Sequence, residues 1–153
     1  EEAYSLAMLL LEEAGRRENA PRIQVFASDL HRNSLEKARE GFYPGDIETD
    51  VSPERLRRFF HKQNGGYCIQ KEVRDLVVFA PHNLLADPPF SRLDLISCRN
   101  LLIYLQRHVQ RDVIELFHYA LLPEGYLVLG SAETIDAMDL FRVDDKRLCL
   151  YRK

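Results

Sequence analysis

Residues 93–105 read Leu-Asp-Leu-Ile-Ser-Cys-Arg-Asn-Leu-Leu-Ile-Tyr-Leu, and the rest of the chain is interpreted outward from them. The mostly apolar residues 93–98 end abruptly at the polar pair Arg99-Asn100. Such a run is typical of a strand that is covered on both faces, although a buried helix would tolerate it as well. If it is a strand of an open α/β sheet, Arg99 and Asn100 fall at its carboxyl end, where these sheets bind ligands.

Two other apolar segments end in polar residues in the same way. Residues 23–28 read as a strand that ends at Asp29, and residues 76–79 read as a strand that is followed shortly by Asn83. Segments with helical spacing, such as residues 106–122, alternate with these strands. The alternation predicts an α/β fold with a mostly parallel sheet, in which the carboxyl ends of the strands converge on one crevice.

Two segments depart from plain strand–helix alternation. Residues 41–75 contain the turn signals Pro44-Gly45-Asp46 and Asn64-Gly65-Gly66, and we interpret this segment as an insertion rather than a second domain. Residues 148–151 form the last apolar segment of the sequence, and we expect them to form an antiparallel strand at the edge of the sheet.

Composition narrows the class of protein. The chain has 153 residues, of which 46% are hydrophobic and 29% charged, as in one soluble globular domain. Its net charge of −3 argues against nucleic-acid binding, which usually needs a basic surface. No apolar run is long enough to span a membrane, and the five histidines show no metal-binding spacing. Three widely spaced cysteines favour a reducing, cytoplasmic setting.

Single residues leave several interpretations open. An acid after the second strand of a doubly wound sheet commonly binds a ribose, so Asp29 is either a ribose ligand or the start of a turn. Tyr104 is either a site residue or a core aromatic whose hydroxyl reaches a polar edge. Cys98 lies inside the apolar run and is interpreted as a buried, unreactive thiol. No serine has the flanking glycines of a nucleophile elbow, so nucleophilic catalysis by serine is not predicted.

Three motifs together carry a resemblance to a known family. They are Glu-Glu-Ala-Tyr-Ser-Leu-Ala-Met at 1–8, Phe-Ala-Ser-Asp at 26–29 and Leu-Ile-Ser-Cys-Arg-Asn-Leu-Leu-Ile-Tyr at 95–104. Over essentially its whole length the chain resembles the CheR family of chemotaxis receptor methyltransferases. It is most similar to versions fused with methylesterase and sensor modules in bacterial signalling proteins. That family transfers a methyl group from S-adenosylmethionine (SAM) to a receptor glutamate, which leaves S-adenosylhomocysteine (SAH).

The resemblance implies a fold and a domain arrangement. The fold would be that of a class I SAM-dependent methyltransferase, Rossmann-like, with residues 1–153 as an incomplete C-terminal SAM-binding domain. Residues 41–75 would be the family's small inserted β-subdomain. The family's first strand and glycine-bearing loop precede the Glu1-Glu2 pair and are missing here, so we expect an N-terminally truncated fragment. Such a fragment would close the gap within the chain or self-associate through its exposed sheet edges.

The resemblance also implies a cofactor site and a catalytic residue. Tyr104 would lie close to the transferred methyl group. Glu2 would contact the methionine end of SAM, and Asp29 would bind its ribose. Asn83 and Leu84 would flank the adenine. The cofactor's other side would be lined by Arg99, Asn100 and Leu101. A glutamate substrate is ionised at neutral pH, because its unperturbed pKa is about 4.3, so the reaction needs no general base.

These inferences lead to one preferred function and two alternatives. The preferred one is protein-glutamate O-methylation by the parent protein, acting on the cytoplasmic region of a chemotaxis or other sensory receptor, with the fragment alone expected to be inactive. The first alternative is a non-catalytic SAM-sensing or docking module in a signalling fusion. The second, less favoured because no glycine loop is visible, is a Rossmann domain that binds a nicotinamide cofactor.

Overall fold

A computed structural model describes residues 1–135 and 139–153 of the chain. These residues form two compact units, Glu1–Asn83 and Leu84–Lys153. Each unit has its own strands and its own hydrophobic core. None of the helices in the described ranges is long and apolar enough to cross a membrane.

The first unit contains a pair of parallel strands. Its elements are α1 (Glu2–Ala14), β1 (Val25–Asp29), α2 (Arg32–Glu40), β2 (Phe42–Pro44), α3 (Pro53–Phe59), β3 (Phe60–Gln63), β4 (Gly66–Ile69), α4 (Lys71–Arg74) and β5 (Val77–Pro81). Strands β1 and β5 pair in parallel, with Asp29 opposite Pro81 at their carboxyl ends. The predicted strands that end at Asp29 and shortly before Asn83 are therefore confirmed.

Helix α1 packs against this parallel pair through Tyr4. The Tyr4 side chain is buried, and its ring lies 5.4 Å from that of Phe79 on β5 in an edge-to-face contact. Its hydroxyl donates a hydrogen bond to the carbonyl of Ala38 at 2.9 Å, near the end of α2. Tyrosine suits this position because its ring fills the core while its hydroxyl satisfies a helix end. Helix α2 then stops at Gly41, whose φ of 63° is a conformation that glycine adopts without steric cost.

The segment between α2 and β5 forms a small antiparallel sheet with the strand order β2-β4-β3. Helix α3 begins with Pro53 in its first turn, and the Ser52 hydroxyl caps it by accepting the N–H of Arg55 at 3.4 Å. The Arg55 guanidinium also donates two hydrogen bonds of 2.8 Å to the Glu12 carboxylate, which ties α3 to α1. The sheet lies within residues 41–75, whose role as an inserted subdomain stays a prediction.

The second unit is a four-stranded mixed sheet with one long helix. Its elements are β6 (Leu93–Cys98), α5 (Arg107–Ala120), β7 (Leu121–Leu129), β8 (Arg142–Asp145) and β9 (Leu150–Arg152), with the strand order β6-β7-β9-β8. Strands β6 and β7 are parallel, so residues 93–98 form the predicted strand rather than a buried helix. The expectation that this strand is covered on both faces is wrong, because Cys98 is its one buried residue. The apolar face of α5 packs on the sheet through Val113 and Phe117, which join Leu127 and Leu129 in the core. Strands β1 and β6 are edge strands of their sheets, and self-association through such edges stays a prediction.

The α/β class is confirmed, and the structure corrects two details at its C-terminal end. Strand β9 is antiparallel, as expected, but it lies between β7 and β8 and is therefore not the edge strand. The edge is β8, whose mostly charged sequence does not resemble a buried strand but suits an exposed edge. Helix α5 ends at Ala120 rather than at residue 122, because Pro123 disfavours helical backbone at Leu122 before it.

Candidate functional site

Asp29 occupies the last position of β1 and is exposed. Its Oδ1 accepts the N–H of His31 at 2.8 Å, and its carbonyl accepts the N–H of His82 at 3.2 Å. The first bond shows that Asp29 starts a turn, which is one of the two interpretations that its sequence allows. The same bond fixes the orientation of the carboxylate at the strand end, where a ligand hydroxyl could also reach it. The ribose-binding role stays a prediction.

The structure brings Asn83 to the same strand end as Asp29, and it places Glu2 at the start of the helix that packs on these strands. Asn83 is half-buried and comes two residues after β5, whose last residue pairs with Asp29. Glu2 is exposed in the first turn of α1, two residues before Tyr4, whose ring contacts Phe79 on β5. Asp29 and Asn83 therefore lie at the carboxyl ends of two paired parallel strands, which is where open α/β sheets bind ligands.

Residues 99–104, here called the β6 loop, continue from the carboxyl end of β6. Arg99 and Asn100 are exposed and directly follow the buried Cys98, as the sequence predicts. A short 3₁₀ turn covers the second half of the loop and ends at Tyr104, whose side chain is 79% exposed. The interpretation of Tyr104 as a core aromatic is therefore wrong.

The apolar members of the predicted site also lie in the second unit. Leu84 is half-buried and packs against that unit's core. Leu101 is exposed on the β6 loop, whereas the next residue, Leu102, is 2% exposed and anchors the loop in the core. The β6 loop thus presents four predicted site residues on one short segment: Arg99, Asn100, Leu101 and Tyr104.

Glu133 holds the β6 loop and was not identified from the sequence. Its side chain is 3% exposed, and both of its carboxylate oxygens accept hydrogen bonds from backbone amides. Oε2 accepts from Gly130 at 2.7 Å and from Asn100 at 3.0 Å, and Oε1 accepts from Leu102 at 2.7 Å. A buried carboxylate is tolerated when several N–H groups replace its hydration in this way. The only local signal is a Gly-Ser-Ala-Glu turn after β7, which does not reveal the partners.

Gly130 and Asn100 let the turn after β7 and the β6 loop approach each other closely. A Cβ atom at Gly130 would lie 2.8 Å from Glu133 Oε2 and 3.0 Å from the amide nitrogen of Asn100, closer than real Cβ contacts. The backbone of Asn100 has a φ of 58°, in the left-handed region that asparagine tolerates better than most residues. Glycine at one position and asparagine at the other are therefore the residue types that this approach favours.

The titration of Glu133 predicts a pH-dependent stability. Burial alone would raise the pKa of Glu133, but hydrogen bonds from the amides of Gly130, Asn100 and Leu102 outweigh it and lower the pKa. A pKa that is lower in the folded state stabilises the fold above the unfolded value of about 4.3, and this contribution is lost as the pH falls through the folded pKa. We expect the free energy of unfolding to fall less steeply in Glu133→Gln than in the wild type between about pH 5 and pH 3. Urea denaturation at each pH measures this, and parallel curves would contradict it.

Two open surface pockets of the first unit lie apart from the predicted residues. One of about 410 Å³ is lined by charged side chains, among them Arg16, Arg55 and Arg58. The other, of about 450 Å³, lies beside α3 and includes Phe60 and Tyr67. Neither includes a predicted site residue, so the candidate site rests on the strand ends. Over the described ranges, no cluster of histidine, cysteine and acidic side chains could hold a metal ion.

The chain matches a known protein family along almost its whole length. Residues 1–147 match the family described as "CheR methyltransferase, SAM binding domain". The matched region includes all eight residues predicted for the site.

Several curated proteins are similar in sequence. The chain is 38% identical over 144 residues to the "Putative methyltransferase Cher3" of Pseudomonas putida, covering 89% of this chain and 51% of that protein. It is 36% identical over 149 residues to the "Chemotaxis protein methyltransferase" of Escherichia coli, covering 91% and 50%. It is 43% identical over 135 residues to an uncharacterised 104.1 kDa protein of Rhodobacter capsulatus, covering 88% of this chain but 14% of that protein. The chain thus spans about half the length, or less, of these relatives.

The solved structures that match this chain include PKMT2 from Rickettsia typhi in complex with AdoHcy, which is 15% identical in sequence and superimposes with a TM-score of 0.48. The alignment covers 83% of this chain and 19% of that chain. With so low a sequence identity and TM-score, this likeness supports no conclusion about residues or activity.

Proposed function

Because the chain belongs to the CheR methyltransferase family, we propose that its parent protein methylates glutamate side chains in the cytoplasmic region of a chemotaxis or other sensory receptor. The family match over residues 1–147 carries this proposal. It is supported by the Escherichia coli relative, whose name states a chemotaxis methyltransferase activity. The proposed setting is cytoplasmic, where SAM and the inner regions of receptors are both present.

The chemistry of the available side chains fits SAM as the cofactor. Asp29 offers an exposed carboxylate at the end of β1, oriented by the amide of His31, and a carboxylate is a suitable acceptor for the two ribose hydroxyls. Asn83 follows the neighbouring strand and offers amide groups for the adenine edge. Glu2 is proposed to bind the positively charged amino group at the methionine end.

The other residues proposed to contact SAM are those of the β6 loop and Leu84, which lies nine residues before β6. Leu84 and Leu101 would provide apolar contacts to the cofactor, and Arg99 and Asn100 would provide polar ones. Tyr104 is 79% exposed, so its ring is accessible to a ligand in this structure. We place it next to the reacting methyl group as the proposed catalytic residue.

The proposed reaction needs alignment more than acid–base catalysis. Bound SAM supplies an electrophilic methyl group on a sulfonium centre. The substrate glutamate has an unperturbed pKa of about 4.3 and is already a carboxylate at neutral pH, so the protein need not remove a proton. The proposed task of Tyr104 and the β6 loop is to hold the carboxylate in line with the methyl group and to exclude water.

Replacing Tyr104 tests this function. We expect Tyr104→Ala in the full-length protein to lower kcat for methyl transfer from radiolabelled SAM to a purified receptor by about 10- to 100-fold, the usual cost of misalignment. Tyr119→Ala is a matched control, because Tyr119 is also in the second unit and is 70% exposed, but it lies on α5. We expect the control to keep wild-type kcat.

Two outcomes would contradict the proposal. If wild-type protein binds SAH but methylates no receptor, the alternative of a SAM-sensing or docking module is favoured. If Tyr104→Ala and Tyr119→Ala both keep wild-type activity, Tyr104 is not close to the reacting group. Calorimetry with SAH on the same samples separates loss of binding from loss of transfer.

A further inference from the structure

Glu133 is unusual among the described residues because it is a charged side chain that is buried. It is 3% exposed, and it is the one charged or strongly polar side chain in the buried class over the described ranges. It lies three residues after Gly130, in the turn that follows β7. Burying a carboxylate is costly unless hydrogen bonds replace its hydration. The hydrogen-bond donors to Glu133 therefore show which segments its buried carboxylate connects.

The hydrogen bonds of Glu133 join two neighbouring strand ends. One donor is the amide of Gly130, directly after β7, at 2.7 Å. The other two are the amides of Asn100 at 3.0 Å and Leu102 at 2.7 Å, both in the β6 loop. Because β6 and β7 are parallel neighbours, the carboxylate bridges their carboxyl ends. Charge-assisted bonds of this kind are roughly twice as strong as neutral ones.

The bonds also determine which conformation the loop adopts. Asn100 has a φ of 58°, a conformation that costs energy for a residue other than glycine, and its N–H is one of the three donors. The donors at Asn100 and Leu102 lie on either side of Leu101 and close to Arg99. The carboxylate therefore fixes the backbone of the three loop residues that are proposed to contact SAM.

We propose that Glu133 is a positioning residue for the cofactor site: its carboxylate holds the β6 loop in the conformation that binds SAM, without contacting SAM itself. The inference rests on the proposed function, because that function makes SAM the ligand of the β6 loop. Only a carboxylate satisfies this arrangement, since both oxygens must accept N–H donors. A glutamine has one acceptor oxygen and would turn its NH₂ group towards at least one of those donors.

Glu133→Gln in the full-length protein is the test, with Glu115→Gln as its control. Glu115 is an exposed carboxylate on α5 of the same unit and forms a surface ion pair with Arg111. Hydrogen exchange followed by mass spectrometry, without cofactor, should show exchange of the β6-loop amides about tenfold faster or more in Glu133→Gln. Calorimetry should show a Kd for SAH raised by about tenfold or more, because SAH would then bind only the fraction of molecules whose loop is in the held conformation. In a receptor assay, KM for SAM should rise more than KM for the receptor.

Each result supports or overturns a distinct statement. Unchanged exchange of the loop amides would show that Glu133 does not hold the loop. Faster exchange with an unchanged Kd would show that the held conformation is not needed for SAM. Wild-type protein that does not bind SAH would overturn the proposed function, while the exchange data would still report on the loop. If Glu133→Gln does not fold, Glu133→Asp keeps the charge but reaches fewer donors, and it should change exchange and Kd in the same direction.

Discussion

Asp29→Ala is expected to raise the Kd for SAH by about 10- to 100-fold, because a hydrogen bond to a charged group contributes about 1.5–3 kcal/mol and each 1.4 kcal/mol is tenfold in affinity. The expectation rests on the position of Asp29 at the carboxyl end of β1, opposite the end of β5. The exposed carboxylate can accept hydrogen bonds from both ribose hydroxyls. Calorimetry with SAH on the full-length protein measures the effect.

Asp29 has a second role that the experiment must separate from ligand binding. Its Oδ1 accepts the N–H of His31 at 2.8 Å, so removing the side chain also weakens a turn. Asp29→Asn keeps an oxygen for that amide but loses the negative charge, and we expect a smaller rise in Kd with an unchanged melting temperature. Asp75→Ala is the control for a surface carboxylate, since Asp75 is exposed and forms a surface ion pair with Lys71.

The outcomes distinguish the two roles of Asp29. A Kd that rises in Asp29→Ala in proportion to a loss of thermal stability, with Asp29→Asn unaffected, would assign Asp29 to the turn alone. A Kd equal to that of the wild type in both variants would remove Asp29 from the proposed site. Weaker binding in both variants without a matching loss of stability would support ribose binding.

The strands next to the proposed site could be predicted because each is a short, mostly apolar run that ends in polar residues. Residues 93–98 are mostly apolar and are followed by a polar pair, and the structure shows a strand with Arg99 and Asn100 exposed at its end. The strand before Asp29 has the same pattern. In such cases the apolar run marks the strand and the first polar residues mark its end, even though most residues of these two strands are only partly buried or exposed.

The contacts that shape the site could not be predicted in this way. The Glu133 bonds join residues that are 33 and 31 positions apart, and neither partner has a side chain that signals the contact, because both donors are backbone amides. Strand β8 was missed for a related reason: it is defined by pairing with β9 rather than by an apolar pattern of its own. Pairing partners across the chain depend on the whole topology, which local periodicity does not contain.

Leu102→Ala is expected to lower the free energy of unfolding by about 2–5 kcal/mol, the usual cost of deleting a buried leucine side chain. Leu102 is 2% exposed and belongs to the core cluster that includes Val113, Phe117 and Leu127. It is the point at which the β6 loop enters the core, so its removal leaves a cavity directly beneath the proposed site. Urea denaturation measures the change.

The neighbouring Ile103 provides the matched control for Leu102. It lies in the same 3₁₀ turn but is 45% exposed, so Ile103→Ala should cost less than about 1 kcal/mol. The Leu102 amide that donates to Glu133 is unchanged by the Leu102→Ala substitution, so loop-amide exchange in this variant reports on the side-chain anchor alone. If Leu102→Ala destabilises the protein strongly while the loop amides stay protected, Glu133 holds the loop without the anchor. If stability is equal in the two variants, Leu102 does not anchor the loop, and the proposed site rests on the Glu133 bonds only.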